Sequence, residues 1–199
     1  MEAVPALARL RTQRVPLRFY RRDPVTVGRA LLGCALVRGD RAGVIVETEA
    51  YLGPEDKASH SRFGPTARTS VMFGAGGVSY VYLCYGVHEL FNIVTGDADQ
   101  PGAVLIRALA PLVGLPDDPG VGRGPGKLTR ALGITRADDR QILDRDDLFV
   151  ARWERVAPTR IAAGPRVGVD YAGRCADRPL RFWIEDHPSV SKAPRRREA

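Results

Sequence analysis

A single α+β domain is the fold class this sequence predicts, and three observations carry the prediction. At 199 residues the chain is long enough to bury a real core but short for two full domains. Its apolar segments are brief and rich in β-branched or aromatic residues, and glycine-bearing turns of hairpin length, at 39–43 and 85–88, join two pairs of them. Helical signals are few and short, each with proline at or near its start, and two of them stop at glycine.

The elements follow in order. Asp23 before Pro24 is an N-cap with proline at the first helical position, so a helix spans 24–32 and stops at Gly33. A short apolar strand, 34–38, leads through the turn at 39–43 into a second strand, 44–51. Period two places Ile45, Glu47, Glu49 and Tyr51 on one face and Val44, Val46, Thr48 and Ala50 on the other. Gly53-Pro54 ends that strand, and 54–60 reads as a helical turn that returns His60 to the strand end. Residues 61–77, rich in Arg, Gly, Thr and Ser, form a loop suited to holding phosphates. A hairpin spans 79–95 with Tyr85-Gly86-Val87-His88 at its tip. Strand 103–109 carries Arg107 in an otherwise buried pattern, and such a charge needs a partner, Glu47 or Glu49, or else an escape to the strand edge. A loop at 110–126, a helix at 124–132 ending at Gly133, an acidic stretch at 138–147, and strands at 167–169 and 180–184 complete the chain.

Composition narrows the function. Cys34, Cys84 and Cys175 are odd in number and far apart, which offers neither a disulfide framework nor a CxxC metal site and points to a reducing compartment. No signal-peptide core and no membrane-length apolar run is present, so an intracellular protein without a membrane partner is expected. The formal charge of +7 is held at the ends, +4 over residues 1–23 and +3 over 192–199, around a neutral body. Either end could seek phosphates or be a solvated terminus.

Two glycine clusters imitate nucleotide sites and fail. Leu128 follows Lys127 where a phosphate loop needs Ser or Thr, and Gly120-Val121-Gly122-Arg123-Gly124 lacks the dinucleotide spacing. Lys127 beside a helix N-terminus can still hold one backbone phosphate. Asp56 and His60 stand four apart, the only hint of zinc, with no third ligand nearby; no metal or cofactor is expected. Tyr80 and Tyr82 share a strand face and read first as core, whereas a ring at position 85, on a glycine-bearing tip, is expected to be exposed.

Glu47-Thr48-Glu49-Ala50-Tyr51, Gly53, Asp56, Ala58, His60, Met72-Phe73, Tyr80-Val81-Tyr82, Tyr85-Gly86, Asn92-Ile93-Val94, Leu105-Ile106-Arg107-Ala108-Leu109 and Gly124-Pro125-Gly126-Lys127-Leu128, in this order and spacing, resemble the alkyladenine (3-methyladenine) DNA glycosylase family. The resemblance covers roughly residues 16–190, leaving a basic arm at 1–15 and a basic tail at 191–199 that is expected to be disordered. Position 69 departs from it: Thr stands after Arg68 where the family often has Asn.

The resemblance implies a curved antiparallel sheet with helices around it. It also implies a monomeric, cofactor-free enzyme that flips alkylated or deaminated purines (3-methyladenine, 7-methylguanine, hypoxanthine, ethenoadenine) out of duplex DNA and hydrolyses the N-glycosidic bond. Within it Glu49 is the general base, and Arg107 helps hold the water and the carboxylate. Tyr51 stacks on one face of the base, His60 and Tyr82 on the other, with Asn92 excluding normal guanine and Leu105 as a further wall. Tyr85 is the wedge that fills the gap left by the flipped base. Apart from the resemblance, the loop at 61–77 and the helix N-terminus make Arg68 and Lys127 candidate phosphate contacts. Glu47 is expected to be structural: residues two apart on a strand lie roughly 6.6 Å apart at Cα, close to an inverting carboxylate pair, but Cα spacing does not fix carboxyl spacing. No lysine is placed for Schiff-base chemistry, so no lyase step is expected. The rival reading is a non-catalytic lesion or nucleic-acid binder, which would need the rings but not Glu49 with Arg107.

Overall fold

The computed structural model describes residues 3–191. The chain runs through α1 (Ala3–Thr12), α2 (Pro24–Ala30), β1 (Cys34–Arg38), β2 (Arg41–Tyr51), β3 (Ser79–Cys84), β4 (His88–Thr95), β5 (Gly102–Val113), β6 (Gly122–Arg123), α3 (Pro125–Leu132), β7 (Leu148–Arg152), β8 (Ile161–Gly164) and β9 (Arg181–Ile184). The strands form one antiparallel sheet in the order β3-β4-β5-β2-β1-β7, with β6 on β5 and the β8–β9 pair joined through β9 to β2. The expected α+β domain built on a curled antiparallel sheet is what the chain forms.

β2 organises this sheet. One of its edges pairs with β5 along nearly its whole length; the other pairs first with β1 and then with β9. The sheet forks there and curls. The β2–β5 register shifts on both sides of Glu47, and such an irregularity bends a strand and re-aims its side chains. Ile45 and Val46 therefore both enter the main core, where strict alternation would have put them on opposite faces.

The core-facing side of the sheet carries Val46, Ala50, Phe91, Ile93, Val104, Ile106 and Phe182, packed with Val27 and Leu31 around α2 and Leu128 and Leu132 of α3. Asp23 caps α2 through a 2.9 Å bond from the Thr26 N–H. Gly28 lets that helix lie close to the sheet: an added Cβ there would meet the Phe182 ring at 3.3 Å. No helix among the described residues is long and apolar enough to cross a membrane.

Several elements differ from expectation. Residues 3–12, read as part of a basic arm, form α1, whose Ala6 and Leu10 are buried against Ala35, Val37, Phe149 and Ala151. Arg14 is likewise committed, bonding Asp146 at 2.6 Å. The basic tail beyond Ser191 lies outside the described residues. β7 is an additional strand: Leu148–Arg152 follows directly on the acidic stretch at 138–147, which carries no strand signal. At 167–169 there is no strand: Gly168 has φ +76°, and the Val167 N–H goes to a side chain instead of a ladder. β8 lies just upstream and has a single β-branched residue, Ile161, to signal it. The helical turn expected over 54–60 is also replaced. Asp56 accepts from the backbone N–H groups of Leu52 and Ala58, a local alternative to helix, and His60 instead opens a 3-10 turn, His60–Phe63.

Candidate active site

The second face of the sheet gathers the polar residues, and the strand registers explain how. Tyr80 is opposite Asn92, Asn92 opposite Leu105, Leu105 opposite Glu49, and Glu49 opposite Arg181. Directly opposed residues share a face, so one row crosses five strands. One step along lie Tyr82, Ala103 and Tyr51. This face lines a cavity of about 370 Å³, within the usual range for small-molecule sites, walled by Tyr51, His60, Tyr80, Tyr82, Asn92, Leu105 and Arg107 among others.

Glu49 is fully buried behind that wall. Its Oε1 accepts the Val167 N–H at 2.7 Å and lies 3.3 Å from Arg107 Nη1; its Oε2 accepts the Tyr51 hydroxyl at 2.8 Å. Glu49 does not itself line the cavity, but the three groups that hold it do. Burial raises its pKa above the ordinary carboxylate value, outweighing the opposing pull of Arg107, Val167 and Tyr51. Tyr51, raised by burial and by Glu49, keeps its proton and remains a donor. The sequence left two carboxylates as partners for Arg107, and the structure uses both: Nε reaches Glu47 at 3.1 Å while Nη1 reaches Glu49.

His60 and Tyr82 come together as expected, with ring centroids 4.8 Å apart and planes at 67°. Burial, then the Arg68 and Arg62 cations, push the His60 pKa down to about 4, so the ring is neutral near pH 7. Tyr80, read from the sequence as core, orients it. Arg68 Nε donates to the Tyr80 hydroxyl at 3.2 Å, and that hydroxyl lies 2.9 Å from His60 Nδ1. With Arg68 donating to the Tyr80 oxygen, we assign the Tyr80 hydroxyl as the donor to Nδ1, which puts the proton of the neutral histidine on Nε2. The signal for Tyr80 was present in its two-residue spacing from Tyr82. Asn92 is fixed by its amide NH2, which donates to the Tyr80 carbonyl at 3.1 Å.

Tyr85 occupies the tip of the β3–β4 hairpin and is 94% exposed. Both Tyr85 (φ 50°) and Gly86 (φ 70°) are left-handed, and the Val87 N–H donates to the Cys84 carbonyl, closing the turn. Lys127 is exposed in the first turn of α3, and Pro125 ahead of it borders the cavity. Arg68, expected to meet phosphate, stands instead over the Tyr82 ring, its guanidinium carbon 4.8 Å from the centroid. Arg166, which the sequence did not single out, covers the Tyr51 ring at 4.8 Å and pairs with Asp56 through two bonds of 2.5 and 2.8 Å. Asp56 is thereby committed to an arginine and does not form a pair with His60. Nothing local in the sequence announces a partner 110 residues away.

The methylpurine-DNA glycosylase family model matches residues 18–188. A protein of Myxococcus xanthus (strain DK1622) named "Putative 3-methyladenine DNA glycosylase" is 48% identical over 185 residues, spanning 90% of this chain and 94% of its own. Proteins of the same name from Anaeromyxobacter sp. (strain Fw109-5) and Bacillus cereus (strain B4264) are 52% and 43% identical, spanning 88% and 89% of this chain and 91% and 98% of theirs. The chain belongs to the methylpurine-DNA glycosylase family. It is accordingly a hydrolytic DNA glycosylase of DNA repair, with the monofunctional character that fits the family.

Proposed function

We propose that this glycosylase flips alkylated or deaminated purines, 3-methyladenine among them, from duplex DNA into the cavity and releases them with a water activated by Glu49. The observation that carries the reading is the placement of a buried carboxylate, tied to an arginine, directly behind the wall of an aromatic cavity. A non-catalytic binder would use the rings and gain nothing from burying that carboxylate. The chain acts as a monomer in this reading, with double-stranded DNA as its partner.

Tyr51 supplies one stacking surface and the neutral His60 ring with Tyr82 the other, and a flipped base is read by such surfaces. The Nε2–H of His60 is a donor for an acceptor on the base edge. Arg166 and Arg68 already stand over the two tyrosine rings, which trims the extra attraction a cationic purine would gain from them. Asn92 and Leu105 both line the cavity; in this reading the bulk of Asn92 excludes the 2-amino group of normal guanine and Leu105 is a further wall. In the chemical step the base leaves as an oxocarbenium-like sugar forms, and a water adds at the anomeric carbon. The water's proton passes to Glu49 at Oε2, which among the described residues holds a single donor, Tyr51. Arg107 keeps the carboxylate oriented. Outside the pocket, Lys127 with the α3 N-terminus is the proposed contact for a backbone phosphate.

The test is single-turnover incubation with duplexes carrying one defined lesion each, followed by cleavage of abasic sites. Release of purine lesions with unmodified purines left intact is the expected outcome; tight lesion binding without abasic sites would favour the binder. The same assay after prolonged EDTA dialysis should give unchanged rates. The motive is the donor set: Glu49 is held by an N–H, a hydroxyl and a guanidinium, and no group of three His, Cys, Asp or Glu among the described residues could hold a metal ion. Activity lost to the chelator and restored by a divalent cation would overturn the water-and-carboxylate mechanism.

A further inference from the structure

Glu47 is fully buried, yet three donors converge on it. Its Oε1 accepts Arg107 Nε at 3.1 Å and Arg181 Nε at 2.6 Å, and its Oε2 accepts the Ser191 N–H at 2.7 Å. Ser191 also takes the Arg107 Nη2 at its hydroxyl, 3.3 Å away. All three nitrogens of Arg107 are therefore assigned: Nε to Glu47, Nη2 to Ser191 and Nη1 to Glu49. A guanidinium is planar and rigid, so fixing two of its nitrogens determines where the third points. A carboxylate needed only to neutralise Arg107 would not require a second arginine, nor a backbone N–H from the far end of the chain.

We infer that Glu47 and Ser191 are positioning residues for base release: together they aim Arg107 at Glu49, and the segment after β9 closes the catalytic charge network. The inference rests on the reading of Glu49 as general base. Among the described residues, the charged and titratable groups facing Glu49 are Glu47 and Tyr51 from β2, Arg107 from β5, Arg181 from β9 and Arg166 from the loop before Val167. Two carboxylates and two arginines balance at the centre of this set, so a change at Glu47 or Ser191 redistributes Arg107 between Glu47 and Glu49.

The experiment compares native protein with Glu47→Gln, Ser191→Pro and Glu49→Gln in single-turnover release from a duplex bearing one 7-methylguanine, across pH. That base is already cationic in the nucleotide and departs neutral, so the acid limb of the profile reports the general base and not protonation of the leaving group. Glu47→Gln removes the like charge, so that of the two carboxylates on Arg107 only Glu49 remains charged. Its acid limb should move to lower pH by about half a unit or more. Ser191→Pro takes away the N–H and the hydroxyl, so that Glu47 draws harder on Arg107. Its limb should move to higher pH, with a lower plateau. Position 191 lies beyond the last strand, so this variant keeps the question open to refutation even where Glu47→Gln folds poorly. Limbs and plateaus at native values in the folded variants, or shifts of both in the same direction, would show a purely structural network. An active Glu49→Gln would instead remove Glu49 as base, and this proposal with it.

Discussion

Glu49→Gln should bind lesion duplex about as well as the native protein and lose base release by about 10²- to 10⁴-fold, the usual worth of general-base help. That loss corresponds to roughly 2.7 to 5.5 kcal/mol of barrier. Binding survives because Glu49 does not line the cavity, while Tyr51, His60, Tyr82 and Asn92 do. Folding survives for a related reason. A glutamine oxygen can still accept the Val167 N–H, and burial already disfavours the charged form of Glu49, so neutralising it removes a desolvation cost. The native pH profile should also change in a defined way. Glu49 acts as a base only when ionised, and burial raises its pKa. Native excision of a cationic lesion should therefore fall with decreasing pH along a limb that begins above the ordinary carboxylate range, and Glu49→Gln should lack that limb. Quenched single-turnover assays over pH would measure both. A glutamine variant within a few-fold of native, or one that keeps the limb, would take Glu49 out of the mechanism.

What the sequence disclosed about this site follows a physical division. Residues whose placement is written in local period were legible: Glu49 and Tyr51 two apart on a strand, Arg107 breaking an apolar run, Tyr85 on a glycine turn. Groups that act through the backbone or across long separations were not. The Val167 N–H that holds Glu49 has no side-chain signature, and Arg181 and Ser191 reach Glu47 across 134 and 144 residues. The same division holds for the fold. The β1–β2 and β3–β4 hairpins announce themselves through turn chemistry, whereas β8, made mostly of small residues, becomes a strand only because β9 pairs with it. α1 was obscured by Arg9 and Arg11, although Ala6 and Leu10 stand four apart, the spacing of one helical face. Charge dominated the reading of that segment, and burial of two apolar residues decided its structure.

Tyr85 offers the other large effect, because its exposure and its backbone point away from a packing role. The side chain is 94% exposed, so truncation removes almost no buried surface. Its φ of 50° is a conformation that costs an L-residue roughly 1–2 kcal/mol and that glycine adopts freely. A bulky ring kept in a strained, solvent-facing turn is the kind of outlier that motivates a functional hypothesis, here a wedge that enters the duplex as a base leaves it. Tyr85→Ala should leave the melting temperature nearly native, whereas a buried aromatic would cost roughly 3–5 kcal/mol. Tyr85→Gly should raise stability by about 1 kcal/mol by relieving the turn. Both variants should lose excision from fully paired duplex by about ten- to a hundredfold if the ring offsets 1.4 to 2.8 kcal/mol of an unstacking cost of a few kcal/mol. A fluorescent base analogue opposite the lesion should report less flipping at saturating protein. Excision of the same lesion placed opposite an abasic gap, where flipping is cheap, should suffer far less. The glycine variant sharpens the outcome, since a protein that is more stable yet slower only on paired DNA cannot owe its defect to unfolding. Equal losses on both substrates, or a large fall in melting temperature, would make Tyr85 a structural residue and leave the hairpin tip without a part in flipping.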